Sequence, residues 1–196
     1  MHTERTRDGH DPMPPALREA AARYFGSDHP LPTVDDVADY YRERNMAAVL
    51  FTVDWERISG IPPIPNEEIV DAARKNPDTI IPFASVDPFR PDAVERAQAL
   101  VDEGVVKGFK FHPNLQSFFP NDRAAYPLYE TISAAGLPAL FHTGHSGIGT
   151  GVPGGGGLRL GYSNPMCLDD VAADFPYLQV VFAHPSFPWQ DEAISI

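Results

Sequence analysis

Three short apolar runs, each bounded by glycine or proline, end in a histidine: KGFKFHP (107–113), PALFHTG (138–144) and QVVFAHPS (179–186). Runs of this length and composition read as strands buried on both faces, the environment of a parallel sheet covered by helices. In a closed barrel of such strands, the residue at each carboxyl end faces the active site. His112, His142 and His184 are thereby directed towards one shared mouth.

Helical signals separate the strands. Pro14 and Pro15 start a helix through Ala16 to Phe25, and Thr33 caps a second with Asp35 and Asp36 in its first turn. A continuous apolar strand over 47–53 closes at Asp54. Asn66 caps a helix over 67–75, and a strand over 80–86 closes at Asp87. A helix over 91–103 places Val94, Ala97, Leu100 and Val101 on one face and stops at Gly104. Beyond the second histidine run lie a glycine-rich loop (144–158) and a helix over 165–175. Five strand-plus-helix units in succession specify an α/β fold with a parallel sheet. An open doubly wound sheet places a glycine-rich phosphate turn directly after its first strand, and no strand end here does so. A barrel distributes chemistry over many strand ends, as the series Asp54, Asp87, Lys110, His112, His142 and His184 does.

Composition narrows the function classes. A chain of 196 residues with 43% hydrophobic content buries a core and suits one domain. A formal net charge of −12 argues against nucleic acid or an anionic membrane as partner, because both require a basic footprint. The apolar stretches fall well short of the roughly 18 residues of a membrane helix. Residues 1–11 are charged and lead into no apolar signal region, so a soluble, cytoplasmic protein is expected. The single cysteine, Cys167, excludes an internal disulfide and reads as a small buried residue.

Together GFKFHP, FHTG, SNP and AHPSFPWQDEA resemble the amidohydrolase-related family of metal-dependent barrel enzymes, in the branch that includes aminocarboxymuconate semialdehyde decarboxylase and related lactone hydrolases. The resemblance runs from about Thr33 to the end. It implies a (β/α)8 TIM barrel with a divalent metal at the carboxyl ends of the strands, commonly zinc (Zn2+), with manganese (Mn2+) as the alternative. By the same resemblance, His142 is the metal ligand after strand five and His184 the strand-six histidine that acts as ligand or acid/base. The family opens with a His-x-His pair and ends with a strand-eight aspartate. Here His2 stands as a remnant of that pair with Glu4 at the partner position, and no strand follows His184. On this reading the chain is a truncated member. A partial TIM barrel holding strands two to six occupies 33–196, behind an irregular and helical segment, 1–32, that carries the remnant of the first unit.

Neutral imidazole is a good zinc ligand, and a catalytic site needs about three protein ligands and one open position. Neighbouring strands lie roughly 4.8 Å apart, so histidines ending adjacent strands can approach one ion. The expected activity is hydrolysis of a C–N or lactone/ester bond in a small carboxylated substrate. A carboxy-lyase acting on an unsaturated or aromatic acid is the alternative, and an inactive partial barrel is the third. Open barrel edges favour association, so a homo-oligomer is also expected. His184, Lys110 and His112 are the catalytic candidates, and His142 and His184 the metal candidates. Lys110 shares the face of His112 and either meets a substrate carboxylate or extends to solvent. His145 reads as a mobile loop histidine ahead of a second ligand or substrate contact, His10 and His29 as solvated, and Asp54 and Asp87 as turn caps. Gly149–Gly154 formally fits G-x-G-x-x-G, but Pro153 lies inside it and no helix follows, which argues against a dinucleotide site. The loop reads either as a flap over the mouth or as a connector. Arg159 is a candidate for an anionic substrate, and Phe118 with Phe119 for an apolar wall or a core cover.

Overall fold

The structure, a computed structural model, describes residues 1–27 and 30–196; the expectation for His29 lies outside them. Helices α1 (Pro15–Phe25) and α2 (Val34–Arg42) precede strand β1 (Ala48–Leu50). Then come α3 (Glu56–Ser59), α4 (Asn66–Lys75), β2 (Ile80–Pro82), α5 (Ala93–Asp102), β3 (Phe109–Phe111), α6 (Pro113–Gln116) and α7 (Tyr126–Ala134). The chain continues through β4 (Ala139–Phe141), α8 (Met166–Asp174), β5 (Val180–Phe182) and α9 (Gln190–Ser195).

Every pairing among these strands is parallel. β1 pairs with β2, and β3, β4 and β5 pair in that order. A bridge between Ala84 and Phe109 joins the two groups, and a bridge between His2 and Phe51 adds the first residues of the chain beside β1. The result is one arc running from residues 1–3 through β1 to β5, with helices on its outer face. This is a partial TIM barrel.

The ladders are only three residues long, shorter than the apolar runs suggest. Past Pro82, Phe83 N–H and Ala84 N–H still donate to Leu50 C=O and Gly108 C=O, each at 2.9 Å, and at Ser85 the backbone turns to a side-chain partner. Ser85 N–H donates to Asn66 Oδ1 at 2.8 Å, and Ser85 C=O accepts from Asn66 Nδ2 at 2.9 Å. Asn66 is therefore no helix cap. It is the first residue of α4, buried, and committed to the neighbouring strand end, while Pro65 holds the cap position.

The main core lies between β3–β4 and α5, α7 and α8. Phe111 stacks on Phe141 at 4.9 Å, and Tyr129 meets Phe111 edge-on at 5.5 Å. A second cluster joins Val34 and Val37 of α2 to Leu50, Ile69, Ala72 and Ile80. Phe118 belongs to the main core, whereas Phe119 is exposed against Tyr162 at 4.8 Å. Cys167 is half-buried on α8 rather than buried. On the face opposite these cores, Ile81 and Val181 are 39% and 41% exposed. No helix among the described residues is long and apolar enough to cross a membrane.

At α2 the expected cap is realised as a capping box: Thr33 Oγ1 accepts from Asp36 N–H, and the Asp36 carboxylate accepts from Thr33 N–H at 2.8 Å. Thr33→Ala is expected to lower stability by about 1 kcal/mol. Urea denaturation checks this, and an unchanged midpoint would assign the helix start to other contacts.

Candidate active site

β3, β4 and β5 end side by side, so their terminal histidines stand in a row. The rings of His112 and His142 are parallel, with centroids 4.0 Å apart and an interplanar angle of 7°. His184 meets His142 edge-on at 4.8 Å. These separations match the spacing of adjacent strands. His2 lies 6.2 Å from His112 although β1 and β2 intervene in the strand order. Only a strongly curved sheet brings them together, and the curvature recruits His2 as a fourth member.

Lys110 precedes His112 by two residues and points to the same side. It is 1% exposed, and its Nζ lies 5.1 Å from the Phe51 ring centroid. The solvent-reaching alternative is thus overturned, because the barrel wall encloses the whole side chain. No carboxylate among the described residues forms an ion pair with it, and burial pulls its pKa down to about 7. Burial also lowers the pKa of His2 and His112 well below the usual range, and brings His142 to about 3. Positive charge on Lys110 adds to the effect at each of them. His184 is shifted the same way, by burial and then by Lys110, but it is the most exposed of the row. At neutral pH the imidazoles are uncharged and available as lone-pair donors.

The row floors a cavity of about 570 Å³. Trp55, Leu115 and Met13 form its apolar walls, together with Tyr24 and Phe25 from the end of α1. Arg18 also lines it, held by Asp11 and by Glu4, each at 2.8 Å. Glu4, at the expected partner position for His2, is thus engaged in an ion pair. Lys110 does not line the cavity but lies beneath the histidines.

The glycine-rich loop is docked over the mouth and forms its roof. Ile148, Val152 and Leu158 pack with Leu17 of α1, Val53 and Trp55. A Cβ on Gly147 would lie 2.5 Å from Phe25 Cζ, and one on Gly156 would lie 2.6 Å from Leu17 Cδ2. The loop backbone lies directly against these α1 side chains, and at Gly156 its φ of +64° is a conformation that favours glycine. His145 lines the cavity from this loop. Arg159 is exposed outside the cavity, and Phe118 and Phe119 are not part of its wall. His10 is not simply solvated: its Nε2 lies 2.8 Å from Pro62 O.

Trp55, Arg18, Tyr24 and Phe25 were not among the residues singled out by the sequence. Trp55 had a readable signal, since it follows Asp54 at a strand end. The others come from α1, whose placement over the mouth depends on tertiary packing.

His142 Nε2 and His112 Nδ1 are buried without a hydrogen-bond partner. Among the described residues, no three His, Cys, Asp or Glu side chains are already grouped to hold an ion. The donor chemistry of His142 and His184 nevertheless suits a divalent metal: two neutral imidazoles on adjacent strands, one with an unpartnered nitrogen. A family model described as amidohydrolase matches residues 2–196. The chain belongs to the amidohydrolase family.

Solved structures agree on the fold of this family member. An uncharacterised TIM-barrel protein from Bordetella bronchiseptica is 28% identical with a TM-score of 0.58, over 70% of this chain and 46% of that one. A 4-oxalomesaconate hydratase from Rhodopseudomonas palustris is 20% identical (TM-score 0.53; 87% and 59% covered). A 5-carboxyvanillate decarboxylase from Sphingomonas paucimobilis is 14% identical (TM-score 0.50; 92% and 66% covered). The chain spans less than half the length of the Bordetella protein and about two thirds or less of the other two. No curated protein matches it.

The two strand-end aspartates of the chain hold its framework. Asp87 accepts from Phe89 N–H at 2.9 Å, which is the expected turn cap, and from Arg57 Nε at 2.8 Å. Asp54 accepts from Asp87 N–H at 3.1 Å, and its backbone C=O accepts from Gln116 Nε2 at 2.9 Å. Gln116 Oε1 in turn accepts from His112 N–H at 2.7 Å. The ends of β1, β2 and β3 are thereby laced together, fixing the backbone that carries Lys110 and His112.

Proposed function

We propose that this chain is a metal-dependent hydrolase that opens a C–N or lactone/ester bond of a small carboxylated substrate. The observation that carries the proposal is the row of four uncharged histidines on the floor of an apolar-walled cavity, with His142 Nε2 left without a partner. His142 and His184 are the ligands, with His2 and His112 beside them. A bound Zn2+ or Mn2+ ion would bring the pKa of a coordinated water towards about 7 and supply hydroxide near neutrality. Where its lone pair is not given to the metal, His184, the most accessible member, is instead the group that holds or passes the proton of the attacking water or leaving group. Lys110 contributes positive potential from beneath the row and favours an anionic substrate. Trp55, Leu115 and the roof exclude bulk water, which strengthens these electrostatic effects.

The second reading is a carboxy-lyase for an unsaturated or aromatic acid. The aromatic wall of Trp55, Tyr24 and Phe25 favours it, because a planar ring stacks well there. The two reactions separate cleanly in one experiment. The purified chain, loaded with Zn2+ or Mn2+, is given a panel of carboxylated lactones and amides and a panel of aromatic acids. Ring opening or amine release without carbon dioxide supports the hydrolase. Carbon dioxide release supports the lyase. A folded, metal-loaded chain inert towards both panels would favour the third reading, an inactive partial barrel whose exposed inner face associates with another copy.

A further inference from the structure

α1 meets the cavity along a single stripe. Leu17, Ala21, Tyr24 and Phe25 stand at i, i+4, i+7 and i+8 of the helix and so share one face. Leu17 packs into the cluster that holds the glycine-rich loop down, and the other three line the cavity. The helix stops directly after Phe25, where Gly26 turns left-handed at φ +61°.

Burial along this stripe is uneven. Leu17 and Ala21 are each 7% exposed, whereas Tyr24 is 48% and Phe25 60% exposed. The two rings meet edge-on at 4.9 Å and rest on the bare backbone of Gly147, where a Cβ would lie 2.5 Å from Phe25 Cζ and 2.7 Å from Tyr24 Cε1. The roof thus supports one side of the pair, and much of the remaining ring surface is open. Ala21, one turn earlier, is too short to cover it. Large aromatic surfaces in a concave site are the usual contacts of a bound apolar group. The cavity of about 570 Å³ also has the size that encloses a drug-sized ligand, more than a small acid at the histidine floor would fill.

We infer that Tyr24 and Phe25, seated on Gly147, are specificity-determining residues that bind an apolar tail of the substrate while its carboxylated, reacting end lies at the histidine floor. The substrate class narrows to an amphipathic acid with a hydrocarbon substituent of several carbons. The orientation rests on the proposed reaction at the floor, whereas the apolar subsite rests on the wall alone.

The test titrates the full chain, with and without Zn2+, with butanoate, hexanoate and octanoate. Trp55 lines the same cavity, and its fluorescence reports binding there as the signal lost in Trp55→Phe. In wild type each added methylene is expected to tighten binding roughly two- to fourfold, the upper figure corresponding to full burial of the group. In the double variant Tyr24→Ala with Phe25→Ala, butanoate is expected to bind as in wild type and the gain from hexanoate to octanoate to fall to roughly half or less. Phe25→Leu, which keeps an apolar side chain, is expected to retain most of the gain. Gly147→Ala, whose Cβ displaces both ring edges, is expected to weaken octanoate more than butanoate. Both rings are largely exposed, so the double variant is expected to fold.

A wild-type series without a gain per methylene overturns the inference, as does a Trp55 signal silent to all three acids or an unchanged gain in the double variant. Zn2+ that tightens the three acids equally, in a series with no gain per methylene, overturns the apolar subsite and leaves the metal reading standing. A gain that is lost in the double variant, with affinities indifferent to Zn2+, supports the inference and counts against the metal reading instead.

Discussion

His142→Ala is expected to weaken divalent-metal binding by more than the roughly 100-fold that loss of an outer partner can cost. The variant removes the buried, unpartnered Nε2 that is best placed to donate to an ion. What remains is His112, turned parallel to the lost ring, and the more exposed His184. His184→Ala is expected to be milder in affinity because water can replace an accessible ligand, yet to lower turnover as well. Elemental analysis and Zn2+ competition titration measure both. The metal-free protein should respond in the opposite direction: without His142 it sheds a buried group that resists protonation, so it should tolerate acid better than wild type. Equal metal affinity in wild type and His142→Ala would remove this residue from the ligand set.

Stability should fall steeply as the pH drops below about 6.5. His2, His112 and His142 have folded-state pKa values depressed by burial, with His142 at about 3, whereas the unfolded chain protonates near 6.5. Between those values the unfolded state binds more protons, so stability rises with pH and is lost as pH falls. At pH 5 each such histidine costs at most about 2 kcal/mol, a large fraction of a typical folding free energy. Lys110 acts in a different window. With a folded value of about 7 against 10.5 in the open chain, it adds stability as pH rises from 7 towards 10.5. Urea midpoints of the metal-free chain at pH 8, 7, 6 and 5 test this. A flat profile between pH 7 and 5 would mean that water reaches the histidine row. Metal should restore part of the loss at pH 6, since a ligand that binds only the folded state stabilises it.

Much of the architecture was legible in the chain. Alternating apolar runs and capped helices specified a parallel α/β fold, and the strand-end rule placed His112, His142 and His184 together, because a period of two and a fixed strand spacing are local properties. Thr33 announced its helix for the same reason: a capping box is closed within four residues. Asn66 looked identical by that local criterion but bonds to Ser85, nineteen residues away, where a strand lost its ladder.

What the sequence determined by itself was therefore the set of strand ends and the chemistry they carry. Only the tertiary structure decided that His2 closes on His112, that Lys110 is enclosed, and that α1 and the glycine-rich loop roof the cavity. Each of these depends on how far the sheet curves and on which distant surfaces exclude water. Curvature and burial are sums over the whole packed molecule, so no short stretch of residues encodes them.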